Sequence, residues 1–361
     1  MSHLTNVSYP TIAFYVHHHG SGHIMRAITV ATVLEGFSIC FMGSNLEAYR
    51  DIIPRDIECI HLPLDLPVNT ETALAEDSVS FLHYAPIGIK GIRERTASLT
   101  ATFKDKYPIL LIVDVSVEIT LLARLCGVPV IVVKQHGKRD DLPHKLAYES
   151  AELLIAPFSA ALEPLYEEEW IKAKTVHTGG FSRYSNCKTE HHPAEKTGNI
   201  AVLVGKGGTS IDSGFIQSLA STCYHYTFHI IGNIIPEEYN HADNIKWHGN
   251  LTDPRQVIAY CTVVIGNAGH NTVMEMADLN KRFICIPEER PFDEQLQKAA
   301  MLASNGHARV IQPAALRTTD WLKELAEIEK QQPDWAGVTD AAALTNIANA
   351  IKNTVNRVFK S

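Results

Sequence analysis

Near the N-terminus the run His17 to His23, HHHGSGH, places imidazoles and two glycines between an apolar stretch and a segment of helical periodicity, MRAITVATVLEG. A neutral imidazole can take a proton from a hydroxyl near neutral pH once a carboxylate fixes its tautomer. His23 is therefore the candidate base, and Asp114, which ends the apolar run ILLIVD, is the candidate orienter. Gly20 and Gly22 suit a tight turn whose N–H groups face an anion at a helix N-terminus. His17 and His18 read as turn or core histidines, and His19 as a minor acceptor contact. No metal site is expected from this run, because neighbouring strand residues point to opposite faces and no cluster of carboxylates completes a ligand set.

A second glycine loop, Gly205, Lys206, Gly207, Gly208, Thr209 and Ser210, follows the apolar run IAVLV. Its backbone donors and one lysine suit phosphates, yet it fits neither the GxxxxGK[ST] loop nor GxGxxG. A third constellation spans Val263 to Ile311. There a strand ends near Gly266, Gly269 permits a close turn, and Asn271 and Thr272 are helix-capping types whose N–H groups could hold a diphosphate. Glu275, one turn further, could accept both hydroxyls of a ribose. Asp293, Glu294 and Gln295, beyond Pro287, could read sugar hydroxyls. In the first half, QHGKRDDLPHK supplies His136 as a second candidate base or acceptor contact, and Arg139 or Lys145 as a holder of an anionic acceptor group.

These residues need scaffolds. Short β-branched runs alternate with helix-like segments, the pattern of parallel sheets built from βαβ units. Strands are expected at TIAFYVHH, FSICFMG, ILLIVD and VPVIVVKQ, and again at IAVLVG, YTFHIIG, NIKWHG, TVVIGNAG, RFICIPE and ARVIQ. The 361 residues exceed one ordinary core. The expectation is an α/β chain of two Rossmann-like domains facing across a cleft: residues 1–185 binding an acceptor, 186–340 binding a nucleotide-sugar, and 341–361 a helix returning to the first domain. That helix is read from Leu344, Ile347, Ala348, Ile351, Val355 and Val358.

Composition narrows the classes. A net charge of −8 disfavours a nucleic-acid partner, which needs a basic stripe. Seven cysteines without a CxxC read as reduced thiols. No segment reads as a membrane span or an export signal, so a cytoplasmic protein is expected. Apolar residues beside Lys90, Arg93, Arg95, Lys104 and Lys106 suggest a face for anionic lipid headgroups, hence peripheral contact with the inner face of a membrane.

The third constellation resembles the donor-binding region of GT-B glycosyltransferases, both the MurG group of peptidoglycan N-acetylglucosaminyltransferases and the plant-type UDP-glycosyltransferases. NAGHNTVME and EQLQKA parallel the plant-type HCGWNSxxE and DQxxNA, while GSGH and GKGGTS resemble the glycine loops of the MurG group. The resemblance implies a metal-independent, inverting hexosyltransferase without cofactor, moving a sugar from a UDP-sugar to a sugar or lipid-linked acceptor in cell-envelope glycan or glycolipid synthesis. It assigns Gly269, Asn271 and Thr272 to the diphosphate, Glu275 to the ribose, and Glu294 with Gln295 to the donor sugar. Gly22, His248, Leu251, Asn267 and His270 join the expected donor set. Asn267, Glu294 and Lys298 depart from the plant-type histidine, aspartate and asparagine, which leaves the donor sugar open. Three alternatives stand beside this reading: a sugar-nucleotide epimerase of the same fold, a non-catalytic nucleotide-sugar or glycan-binding subunit, and a dinucleotide oxidoreductase.

Overall fold

A computed structural model of the protein describes residues 10–68, 71, 73, 79–163, 167–185, 194–205, 207–234 and 242–359. Its contacts divide into two units. One comprises Met1–Gln135, Arg139–Gly179 and Ala342–Ser361, and the other His136–Lys138 and Gly180–Ala341.

In the first unit, β1 (Thr11–Val16), β2 (Ile39–Gly43), β3 (Glu58–His61), β4 (Ile109–Val113), β5 (Val130–Val133), β6 (Leu153–Ala156) and β7 (Thr175–His177) form one parallel sheet in the order β3, β2, β1, β4, β5, β6, β7. The helices are α1 (Gly22–Ala31), α2 (Lys90–Asp105), α3 (Val117–Leu125), α4 (Leu142–Ser150) and α5 (Glu169–Lys174). The central strands are apolar at nearly every position because a parallel sheet covered on both faces has no wet side. Phe14 lies in register with Phe41 on one neighbour and Ile112 on the other, and both phenylalanines are fully or almost fully buried. Strand order reverses between β1 and β4. The carboxyl ends of those two strands are where an open α/β sheet presents a ligand crevice.

The second unit repeats this plan. Strands β8 (Lys196–Val204), β9 (Thr227–Gly232), β10 (Ile245–Gly249), β11 (Cys261–Asn267), β12 (Arg282–Ile286) and β13 (Arg309–Val310) run parallel in the order β10, β9, β8, β11, β12, β13. Helices α6 (Ser213–Thr222), α7 (Arg255–Tyr260), α8 (His270–Asp278) and α9 (Glu294–Ser304) lie between them in the chain, and α10 (Trp321–Glu329) follows β13. Here the order reverses between β8 and β11, so the second crevice lies beyond Val204 and Asn267.

The last helix, α11 (Ala343–Phe359), belongs to the first unit. It buries Leu344, Ile347, Ala348, Ile351 and Val355, one apolar stripe at helical spacing, against α1 and β6. Glu58–His61, Leu153–Ala156 and Thr175–His177 are strands that hydrophobic patterning does not reveal.

Candidate active site

Gly20 takes a left-handed φ of +69°, a conformation cheap only for glycine, and turns the chain out of β1 into α1. His23 thus stands in the first turn of α1, beyond the carboxyl end of β1, while Asp114 follows β4 directly. The switch point brings them together, with His23 Nδ1 2.7 Å from Asp114 Oδ2. With Nδ1–H donated to the carboxylate, the Nε2 lone pair remains available as an acceptor.

Two further residues complete this cluster. Arg26, one helical turn after His23, donates from Nη1 to Asp114 Oδ1, and Gln135 Nε2 approaches the same oxygen at 3.2 Å. Burial alone would raise the Asp114 carboxyl, but the Arg26 guanidinium, and then His23, hold it well below the usual carboxylate range. The (i, i+3) spacing of His23 and Arg26 was a readable signal that both face one way; patterning pairs only His23 with Asp114.

His17, His18 and His19 leave the strand at Val16 and gather on one side, so strand alternation does not separate them. Their rings stack instead, with centroids 4.5–5.1 Å apart and interplanar angles of 17–36°. One ring nitrogen from each of the three lies within 4.8 Å of the others, so the geometric reason for expecting no metal here does not hold. Burial, then His23 and His18, depress His17 to about 3. Exposed His19 uses its backbone N–H toward His17 Nδ1.

In the second unit, α8 starts at His270 with Gly269 as its cap. Asn271 and Thr272 lie inside the first turn and do not cap it, because Gly269 already holds the extended conformation a cap requires. The helical ladder begins at Val273 N, donated to Gly269 O, which leaves the first-turn N–H groups at the helix N-terminus outside that ladder. Buried Glu275 does not stand alone. Arg183 Nε meets its Oε1 at 2.9 Å, and the same guanidinium donates to Thr252 O and stacks on the Tyr184 ring. Burial pushes the Glu275 carboxyl up to about 6 against the opposing pull of Arg183.

The glycine loop is organised by a residue that patterning misses. Glu288 Oε1 accepts from Ser210 N at 2.6 Å, Ser210 Oγ at 2.8 Å, Thr209 Oγ1 at 3.0 Å and Asn267 Nδ2 at 3.0 Å. Gln295 Oε1 accepts from Glu288 N at 2.9 Å, and Arg290 donates to Gly208 O at 2.6 Å. Thr209 and Asn267, expected to read the donor, are thus joined to one buried carboxylate, and Gln295 to the backbone N–H of the same residue. Gly207 and Gly208 lie in this loop beside Gly205, and Lys206 lies outside the described residues. Glu294 is within 3.3 Å of the Lys298 ammonium, one turn along α9.

The remaining expected residues are dispersed. His248 pairs with His229 across β10 and β9 at 3.0 Å, and Leu251 is half-exposed after β10. Buried His136 groups with the second unit, not with the first as the sequence order suggests. Arg139 reaches His144 Nε2 at 3.0 Å, while His144 Nδ1 faces Asp141 at 2.5 Å and His83 Nε2 faces the same carboxylate at 2.8 Å. Because the guanidinium donates to Nε2, the ring proton of His144 sits on Nδ1 and points at Asp141. Burial, then Arg139, lower His144 to about 4. Arg95 is not part of a basic face: it is buried, joined to Asp65, Tyr15 and Ser44.

Residues 224–354 match the glycosyltransferase family 28 C-terminal domain, which covers α8, α9 and the carboxylates around them. The chain is a GT-B glycosyltransferase. A UDP-N-acetylglucosamine–N-acetylmuramyl-(pentapeptide) pyrophosphoryl-undecaprenol N-acetylglucosamine transferase of Mannheimia succiniciproducens is 23% identical over 328 residues, covering 86% of this chain and 88% of its own. The enzyme of the same description from Clostridium perfringens is 20% identical over 358 residues, covering 94% and 96%. Among solved structures, Acinetobacter baumannii MurG superposes with a TM-score of 0.57 at 16% identity over 95% of this chain and 100% of that one. A Polygonum tinctorium UDP-glucosyltransferase gives 0.63 at 14% identity, over 98% and 100%. For this glycosyltransferase the structural likenesses establish the architecture of both parallel sheets.

Proposed function

We propose that the enzyme transfers a sugar from a UDP-sugar to an acceptor hydroxyl with inversion and without a metal ion. The observation that carries this reading is the His23–Asp114 pair at the switch point of the first sheet, 2.7 Å apart. In the proposed step, His23 Nε2 takes the acceptor's hydroxyl proton while that oxygen bonds to the anomeric carbon. The bond from that carbon to the diphosphate oxygen breaks with its electron pair, and the nucleoside diphosphate departs from the opposite face. In the second unit, N–H groups at the start of α8 and the glycine loop would hold the donor's diphosphate. Glu275 would accept the ribose hydroxyls.

The acceptor is proposed to be a lipid-linked glycan, by analogy with the pyrophosphoryl-undecaprenol acceptor that the name of the Mannheimia enzyme carries, and to be met at the cytoplasmic face of a membrane. Exposed Phe81, Tyr84 and Ile87, ahead of the exposed Lys90 and Arg93, support a peripheral contact. No helix among the described residues is long and apolar enough to cross a membrane.

A thermal-shift panel tests the donor half, since a ligand that binds only the folded state raises its melting point. UDP is expected to stabilise the protein equally with and without a chelator. Stabilisation that appears only with added divalent ion, or none from any nucleoside diphosphate, contradicts the proposal.

A further inference from the structure

The geometry points to Arg26 as a positioning residue that sets the pH range in which His23 serves as a base, a role that rests on the reading of His23 given above. The Asp114 carboxylate is divided between two partners: Oδ2 orients the His23 ring at 2.7 Å, and Oδ1 is held by the Arg26 guanidinium and by Gln135 Nε2 at 3.2 Å. Arg26 and Asp114 are each 8% exposed, so little water screens the pair. Arginine stays charged at any working pH.

A carboxylate beside an imidazole does two things. It fixes the tautomer by accepting the Nδ1 proton, and it stabilises the imidazolium by its charge. For a base working near neutral pH these effects oppose each other, because a ring held as imidazolium has no lone pair for the acceptor proton. The Arg26 guanidinium offsets the carboxylate's charge and leaves Oδ2 in place as an acceptor. Orientation is kept while the electrostatic pull toward the protonated ring is reduced.

The surroundings allow this effect to be isolated. Facing His23 are Asp114 beyond β4, Arg26 from α1, and the His17 ring edge-on with centroids 5.7 Å apart, with His18 and His19 further along the same loop. Gln135 beyond β5 is uncharged, and α11 brings Ile347 and Ile351 to the cavity that His23, Arg26 and Asp114 also line. A purely structural Arg26, there only to satisfy a buried carboxylate, would affect melting and leave the His23 titration unmoved.

The test uses the full chain. The His23 Cε1–H resonance, identified by its loss in His23→Ala, is titrated by NMR in the wild type, Arg26→Gln and Arg26→Lys. Glutamine keeps a donor to Oδ1 without the charge; lysine keeps the charge. The Arg26→Gln midpoint is expected about 1–2 pH units above wild type, with Arg26→Lys within a few tenths. The acid limb of kcat/KM for UDP-sugar consumption should move with it, so that turnover at pH 7 falls about tenfold while the high-pH plateau is kept. Should Arg26→Gln not fold, the comparison is made with the buried carboxylate neutralised: the His23 midpoint should be about 1 pH unit or more higher in Arg26→Gln/Asp114→Asn than in Asp114→Asn. A folded Arg26→Gln that titrates as wild type, or failing that a double variant that titrates as Asp114→Asn, overturns the role of Arg26. Retention of full turnover by His23→Ala overturns the base assignment instead, whatever the titration gives.

Discussion

His23 can accept a proton only if its Nε2 lone pair is presented to a hydroxyl, which requires Asp114 to hold the opposite nitrogen at the observed 2.7 Å. Under the proposed mechanism, Asp114→Asn should keep the shape and lower kcat by roughly 10²-fold or more, because an amide can present the wrong group to the ring. Asp114→Ala strands the buried Arg26 guanidinium, and urea unfolding should report a loss of about 3–5 kcal/mol. A loss below about 1 kcal/mol would mean that Arg26 finds water or another acceptor. Glu275 gives a second residue-level expectation. Burial places its carboxyl at about 6, above the usual glutamate value, so the acceptor form a ribose needs is depleted as pH falls below that point. UDP affinity by calorimetry should be level above about pH 6.5 and weaken by about tenfold per pH unit well below 6. Flat affinity down to pH 5 would separate Glu275 from the ribose.

At the scale of elements, legibility followed burial on both faces. Runs such as ILLIV and TVVIG are apolar at consecutive positions and were readable as central strands. Edge strand β3, ECIH, has exposed Glu58 and His61 on either side of only two half-buried residues, Cys59 and Ile60, and β7, TVH, is three residues long at the opposite edge. Neither carries enough apolar signal, since one side of an edge strand has no neighbour. Strand β6, LLIA, follows α4 after only two residues, with no glycine or proline to mark the change. The glycine loop shows a different limit. Its strand-to-helix position was legible, but Glu288, 78 residues beyond Ser210, is brought to it only by the pairing of β8, β11 and β12. Removing that carboxylate should loosen the loop. Glu288→Ala is expected to lower the melting temperature by an amount equivalent to about 1–3 kcal/mol, the cost of leaving buried donors without their acceptor. A melting curve unchanged from wild type would show that the loop keeps its shape without Glu288.

On the scale of the molecule, two doubly wound sheets each present a switch point, and the chain returns to its first unit for the last helix. The stripe along α11 was readable from spacing alone. Its partner surface was not, because the α1 and β6 positions it covers lie more than 180 residues earlier. Ending the chain before Ala342 would uncover Ile351, fully buried in the intact protein, and its neighbours on that face. Each such aliphatic contributes about 1.5–3 kcal/mol by burial, so the first unit should become unstable at ordinary temperature. Calorimetry should then show its transition lost while that of the second unit, residues 180–341, remains. A single unchanged transition would mean that α11 adds little.

The most direct measurement of the proposed chemistry is proton NMR of the anomeric region while full-length enzyme consumes an α-linked UDP-sugar, with water or an added glycolipid as acceptor. The first product expected is the β anomer, released with UDP in the presence of a chelator, and His23→Ala should slow its appearance by about 10²- to 10⁴-fold. An α product, or equal rates for His23→Ala and the wild type, would contradict direct displacement by a hydroxyl that His23 deprotonates.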